Sequence, residues 1–150
     1  MVRGAATNND GHGKVSYLAP SVQGQTEVIA MAQALAQITA DTVGYVEGHG
    51  TATPMGDPIE VEALTRAFRE STARNGFCCL GSVKGNVGHL DAAAGIAGLL
   101  RALLALKHRT LPATAHFESG NPQLRLEATP FSSWARARIG LRATIRAALP

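Results

Sequence analysis

Only two cysteines occur in the 150 residues, and they are neighbours, Cys78 and Cys79. Adjacent cysteines rarely bridge each other, so a disulfide framework is excluded. Their spacing, with the histidines scattered elsewhere, fits no zinc pattern, and no bound metal is expected. Aromatic residues make up 5 % of the chain, too few for the stacking platforms of a nucleic-acid binder. No apolar run reaches the roughly 20 residues of a membrane span. The opening Met-Val-Arg-Gly-Ala-Ala-Thr-Asn-Asn-Asp lacks the apolar stretch of a secretion signal. These absences lead to the expectation of a cytoplasmic protein with no membrane and no nucleic-acid partner. Internal repeats and low-complexity segments are lacking as well.

What is present is a globular composition, 45 % hydrophobic and 17 % charged, enough for one domain with a core. The formal charge of +3 is unevenly placed: residues 1–130 carry ten Lys/Arg against eleven Asp/Glu, and the excess comes from Arg136, Arg138, Arg142 and Arg146. A basic terminal stretch of that kind is weak evidence for an anionic partner.

Turn chemistry dominates residues 1–20, with Asn8, Asn9, Asp10, Gly11, Gly13 and Pro20. Val28, Met31, Ala32, Leu35 and Ile38 then recur at helical intervals, which predicts a helix over 21–39 with Ser21 as its cap. Residues 42–47 are expected to form a short buried strand. Asp57-Pro58-Ile59-Glu60 has the form of a helix start, Asp57 capping and Glu60 three residues on. Val61, Leu64, Ala67 and Phe68 extend it over 58–72. Residues 77–83 are expected to be a buried strand in which both cysteines act as small hydrophobes. The rival role for one of them, a nucleophile, lacks the helix N-terminus or cation that activates a thiol. Asp91 is the expected cap of a third helix over 92–108, whose leucine-rich face is broad enough to predict that it is largely buried. Helix, strand, helix, strand, helix is the alternation of an α/β layered fold.

Two stretches carry chemistry. Residues 44–60 read Gly-Tyr-Val-Glu-Gly-His-Gly-Thr-Ala-Thr-Pro-Met-Gly-Asp-Pro-Ile-Glu, and residues 81–95 read Gly-Ser-Val-Lys-Gly-Asn-Val-Gly-His-Leu-Asp-Ala-Ala-Ala-Gly. His49 and His89 each follow a predicted strand and sit beside glycine, in the strand-to-helix loops where open α/β sheets bind ligands. Neither stretch has the residue order of a phosphate-binding loop or a dinucleotide fingerprint. His12, His108 and His116 have no comparable setting.

The two stretches closely resemble the histidine-bearing motifs of β-ketoacyl synthase (ketosynthase) domains of modular polyketide synthases. The similarity extends over residues 2–131, through Arg3-Gly4, Asn8 to Gly11, Ala19 to Ser21, Ala105 to Pro112 and Asn121-Pro122. It implies the C-terminal half of a thiolase-like fold, a mixed sheet layered with helices and incomplete in this chain. It implies an acyltransferase of polyketide or fatty acid biosynthesis. An acyl group on a cysteine is joined to the enolate of a decarboxylating malonyl-type extender, delivered on the phosphopantetheine arm of acyl carrier protein. No bound cofactor is implied. By the same resemblance His49 and His89 are the catalytic histidines, two neutral imidazoles donating N–H to the enolate oxygen. Lys84 keeps them unprotonated, with Asp57 or Glu60 holding Lys84.

The family's cysteine lies upstream of these motifs, before this chain begins. The expectation is therefore a half that is inactive alone, that partners a missing N-terminal half, and that is homodimeric in the intact enzyme. The alternative is a non-catalytic remnant or interaction module. Exposure of the face meant for the other half predicts self-association. Ala52 and Gly85 depart from the family pattern, where glycine and threonine are usual. Ala52 is expected to crowd a backbone needing positive φ and Gly85 to loosen the loop before His89. Residues 132–150 lack the family's Gly-Phe-Gly-Gly-Thr-Asn-Ala-His type of continuation. They read as a divergent basic tail, with Leu141, Ile145 and Leu149 on one helical face.

Overall fold

The computed structural model describes residues 1–9, 20–115 and 117–133, and the backbone pairing of 138–139. His12, His116, Trp134 and the helical face expected in the tail lie outside the described residues.

Chain order runs from helix α1 (Val22–Leu35) through strand β1 (Tyr45–Glu47), helix α2 (Gly56–Arg69) and strand β2 (Cys78–Gly81) to the short helix α3 (Lys84–Val87). Helix α4 (Ala94–His108) and strands β3 (Thr110–Leu111), β4 (Phe131–Ser132) and β5 (Arg138–Ile139) follow. Strands β1, β2 and β4 form one parallel sheet in that order, and β3 pairs antiparallel with β5. The α/β reading holds, with α2 as the crossover between β1 and β2.

Strand periodicity divides the core between the two faces of the sheet. Val46 and Cys78, with Phe131 in register beside Cys78, point to one side and pack with Leu64 and Phe68 of α2. Tyr45 and Cys79, also in register, point to the other side and meet Ala102 and Ala105 of α4. The expected stripe Val61, Leu64, Ala67 and Phe68 is buried throughout. Both cysteines are buried in β2, and burial pushes the Cys78 thiol well above its ordinary range, opposite to what a nucleophile needs.

Helix ends differ from expectation in informative ways. Ser21 does cap α1, its hydroxyl accepting from Gly24 N–H at 3.1 Å. The helix stops at Leu35 because Gln37 is left-handed, with φ of 54°. Met31 and Leu35 are exposed, so only part of the expected α1 stripe is core. Ile38 of that stripe packs on the cluster, joined by Ile29 from outside it. Helix α2 begins at Gly56, one residue before the expected Asp57 cap, because the Thr53 hydroxyl accepts from Gly56 N–H at 3.0 Å. Asp91 caps nothing: it and Leu90 are left-handed, and a 3-10 turn over Asp91–Ala93 leads into α4.

Helix α4 corrects the burial expectation most clearly. Gly98, Arg101, Ala102 and Ala105 face the sheet, while Ile96, Leu100, Leu103, Leu104 and Leu106 are exposed. Apart from Arg101, the buried residues of this helix are the small ones. The large ones form an apolar strip with no partner among the described residues. No described helix is long and apolar enough to cross a membrane.

Candidate functional site

The carboxyl ends of β1 and β2 set the two histidine loops side by side. Pairing continues one rung past the strands, Gly48 N–H donating to Gly81 C=O at 2.8 Å. Beyond it the chain turns sharply: Gly50 has φ of +46°, and a β-carbon there would stand 2.8 Å from Ser82 Cβ. Glycine is required on both counts. Ala52 is also left-handed, with φ of 58°, as expected for a position where glycine is usual.

Two carboxylates from the start of α2 grip this loop by its backbone. Glu60 accepts from His49 N–H at 2.6 Å and from Gly50 N–H at 2.9 Å, and Asp57 accepts from Ala52 N–H at 3.1 Å. Among the described residues neither pairs with Lys84, contrary to expectation. Charge-assisted bonds to the loop amides of His49, Gly50 and Ala52 satisfy the acids instead.

Lys84 instead points at His49, Nζ standing 3.4 Å from Nδ1. A lysine ammonium has only donors, so Nδ1 must accept. The proton of the neutral ring then sits on Nε2. Burial lowers the His49 pKa first, the Lys84 charge lowers it further, and Glu60 opposes both. The His49 and His89 rings meet edge to face with centroids 5.2 Å apart.

His89 and Lys84 line a groove of about 760 Å³ together with Thr51, Thr53 and Phe117. His49 is not among its lining residues. The loop holding His89 is built from Gly88, Leu90 and Asp91, all at positive φ. Left-handed non-glycine residues of this kind cost about 1–3 kcal/mol each and persist where the surroundings fix them. Gly85 does not leave the slack expected of it. The Ala115 carbonyl stands 3.2 Å from where its β-carbon would be, filling that space from the groove wall.

Sequence reasoning missed a buried polar cluster directly beneath the site. Glu47 and Arg101 are only 2 % and 7 % exposed. Arg101 Nη1 lies 3.4 Å from Glu47 Oε2, which also accepts from the Tyr45 hydroxyl, while Oε1 accepts from Val83 N–H at 2.5 Å. Arg101 Nη2 donates to the Pro112 carbonyl at 3.1 Å and the Ala113 carbonyl at 3.4 Å. Gly81 leaves room for the cluster, since a β-carbon there would be 3.1 Å from Tyr45 Oη and 3.3 Å from Arg101 Nη1. Burial pushes the Glu47 carboxyl up, against the pull of its hydrogen bonds and of Arg101. Burial and then the Glu47 charge push the Tyr45 phenol up. A signal existed: one acid at the end of an apolar strand and one arginine inside a leucine-rich helix are opposite charges that burial must pair.

Comparison with known proteins gives this arrangement its setting. Residues 1–118 match the family model described as beta-ketoacyl synthase, C-terminal domain. The chain is 54 % identical over 132 residues to a phenolphthiocerol/phthiocerol polyketide synthase of Mycobacterium tuberculosis, covering 87 % of this chain and 9 % of that protein. It is 45 % identical over 131 residues to polyketide synthase PksN of Bacillus subtilis, covering 87 % of this chain and 2 % of that protein. Among solved structures it resembles the ketosynthase from module 1 of the bacillaene synthase of Bacillus amyloliquefaciens FZB42. There the TM-score is 0.92 at 41 % identity, over 97 % of this chain and 28 % of that one. The fold is thus that of the C-terminal part of a thiolase-like ketosynthase. The chain spans less than a tenth of these synthases and about a quarter of the solved ketosynthase.

Proposed function

The chain belongs to the β-ketoacyl synthase family, and on that premise we propose that it forms the extender-handling side of a polyketide-type condensing enzyme. In this reading a malonyl-type thioester on the phosphopantetheine arm of acyl carrier protein enters the groove and loses its carboxylate as CO₂. The electron pair of the broken carbon–carbon bond moves into an enolate. His49 and His89 donate N–H to the enolate oxygen, and Lys84 holds His49 neutral with its proton on Nε2. The enolate carbon then attacks an acyl thioester on a cysteine and expels the thiolate. That cysteine is neither Cys78 nor Cys79, both buried in β2, so another segment supplies it.

The single observation that carries the reading is the meeting of two imidazoles 5.2 Å apart, beside one ammonium, at the ends of adjacent parallel strands. One small oxygen can accept from two donors so placed, and each donor is worth a factor of about 10²–10³ in rate. Residues 1–131 are assigned to the ketosynthase part and residues 132–150 to a divergent tail. The apolar strip on α4 is assigned to the contact with the other half of the fold. A homodimer, a cytoplasmic location and acyltransferase chemistry follow from the same reading.

The test is a graft: residues 1–118 replace the matching segment of the bacillaene module 1 ketosynthase, and CO₂ release from malonyl-carrier protein is followed. Turnover is expected, with a loss of about 10²–10³-fold in His49→Ala and in His89→Ala. A folded graft whose decarboxylation is indifferent to both substitutions refutes the reading and leaves an interaction module in its place.

A further inference from the structure

Glu47 has no part in the chemistry above, yet it lies at the junction of everything that shapes the site. Its two carboxylate oxygens face different structures. Oε1 takes the Val83 N–H at 2.5 Å, the last amide before Lys84. Oε2 takes Arg101 and the Tyr45 hydroxyl. Arg101 in turn holds the carbonyls of Pro112 and Ala113, and the next residues, Thr114 and Ala115, form groove wall against Gly85. One buried side chain thus joins β1, which leads into His49, to the turn carrying Lys84 and to the opposite wall of the groove.

We infer that Glu47 is a positioning residue: through Val83 N–H and Arg101 it fixes where Lys84 stands relative to His49, and so sets the protonation state and tautomer of that ring. Three features support this. First, α3 is a single turn with no side-chain cap bond of its own. Apart from the Ser82 hydroxyl, 3.3 Å from Lys84 N, the Glu47 carboxylate is the side chain that receives an amide at its start. Second, a charge this deeply buried is costly unless it is paired and hydrogen-bonded, and here Arg101, Tyr45 and Val83 supply three donors. A cluster so fully satisfied is rigid. Third, Lys84 reaches His49 at 3.4 Å, a distance a slack turn would not keep. The inference rests on the condensing-enzyme reading for its consequence in catalysis, but not for its test.

The test reads the titration of the His49 ring in the 150-residue chain, followed by its ¹⁵N shifts. The charged groups acting on that ring are Lys84, Glu60, His89 and Asp57, and only Lys84 is varied. Lys84→Met is expected to move the His49 midpoint upward by about 0.5, since a nearby cation has been removed. In a Glu47→Leu background the same Lys84→Met change should move it by less than about 0.2, because no acceptor remains for Val83 N–H and Lys84 is no longer held in place. Val83→Pro supplies the second arm. Val83 already has φ of −65°, which suits proline, so the substitution deletes the donor and leaves the Glu47–Arg101 pair intact. It should abolish the Lys84 dependence in the same way, while Val83→Ala retains it. If Lys84→Met shifts His49 equally in all backgrounds, Glu47 only stabilises the fold and the proposal is overturned. Should Glu47→Leu fail to fold, the Val83 pair decides alone. Loss of the condensing-enzyme reading would show as inert histidines in the graft and would leave this cycle unchanged.

Discussion

Replacing Arg101 by methionine should cost about 3–5 kcal/mol of stability at neutral pH and little in acid. Arg101 and Glu47 are 3.4 Å apart and both buried. At an effective dielectric near 20, that separation corresponds to about 5 kcal/mol of attraction. Removing one member of a buried pair typically costs about 3–5 kcal/mol, because the other charge is stranded. Methionine fills similar volume beside Ala102 and Ala105, so little cavity cost is added. With a urea slope near 2 kcal/mol per molar, the unfolding midpoint should fall by about 2 M at pH 7. The pH dependence identifies the cause. The folded carboxyl of Glu47 is already raised by burial, and Arg101 acts to lower it, so the variant raises it further. An acid whose folded pKa exceeds its unfolded value binds protons more tightly when folded. Its favourable contribution is complete below the unfolded pKa, about 4.3, and is lost as pH rises toward the folded value. Urea titrations of both proteins from pH 4 to pH 8 should therefore show a difference that is small at pH 4 and grows as pH rises through neutrality. Glu47→Gln added to Arg101→Met should recover part of the loss at pH 7. A penalty equal at both ends of the range, or a double variant no better than the single, refutes the buried-pair account.

Ala52→Gly should stabilise the loop after His49: the left-handed backbone at φ of 58° costs an L-residue about 1–2 kcal/mol. Glycine gives back about 0.5–1 kcal/mol in unfolded-state entropy, for a net rise in melting temperature of about 1–3 °C in a calorimetric scan. The strip formed by Ile96, Leu100, Leu103 and Leu104, with relative exposures of 55 %, 52 %, 49 % and 53 %, should drive self-association of the chain in sedimentation velocity. Leu100→Glu with Leu104→Glu should disperse it. A monomeric parent at micromolar concentration would remove the strip as the cause.

Much of this molecule was legible in the linear chain where physics is local. The α2 stripe of Val61, Leu64, Ala67 and Phe68 has helical spacing, and the core uses it as written. The Ser21 cap needed only a hydroxyl three residues from a free amide. The need for positive φ at position 52 followed from a residue type standing where glycine is usual. His49 and His89 were picked out by their loops. Partner choice was less legible. Asp57 and Glu60 read as helix caps and as holders of Lys84. In the fold they bind the amides of the His49 loop, and among the described residues neither pairs with Lys84. Leucine periodicity on α4 announced an apolar face but not which side of the helix the sheet covers. The sheet takes Gly98, Ala102 and Ala105.

The sequence by itself determined the alternation of helix and strand, the glycine-flanked loops and the residue types that can share a proton or stabilise an enolate. The alternation and the loops follow from rotamer, dihedral and periodicity constraints within a few residues, whereas the enolate chemistry is what the resemblance to ketosynthase motifs implies. Only the tertiary structure decided that Lys84 stands beside the His49 ring and that Glu47 and Arg101 meet beneath it. Those pairings join residues 35 and 54 positions apart in the chain. Parallel registry of β1 with β2, and the seating of α4 on their far face, are what bring them within bonding distance.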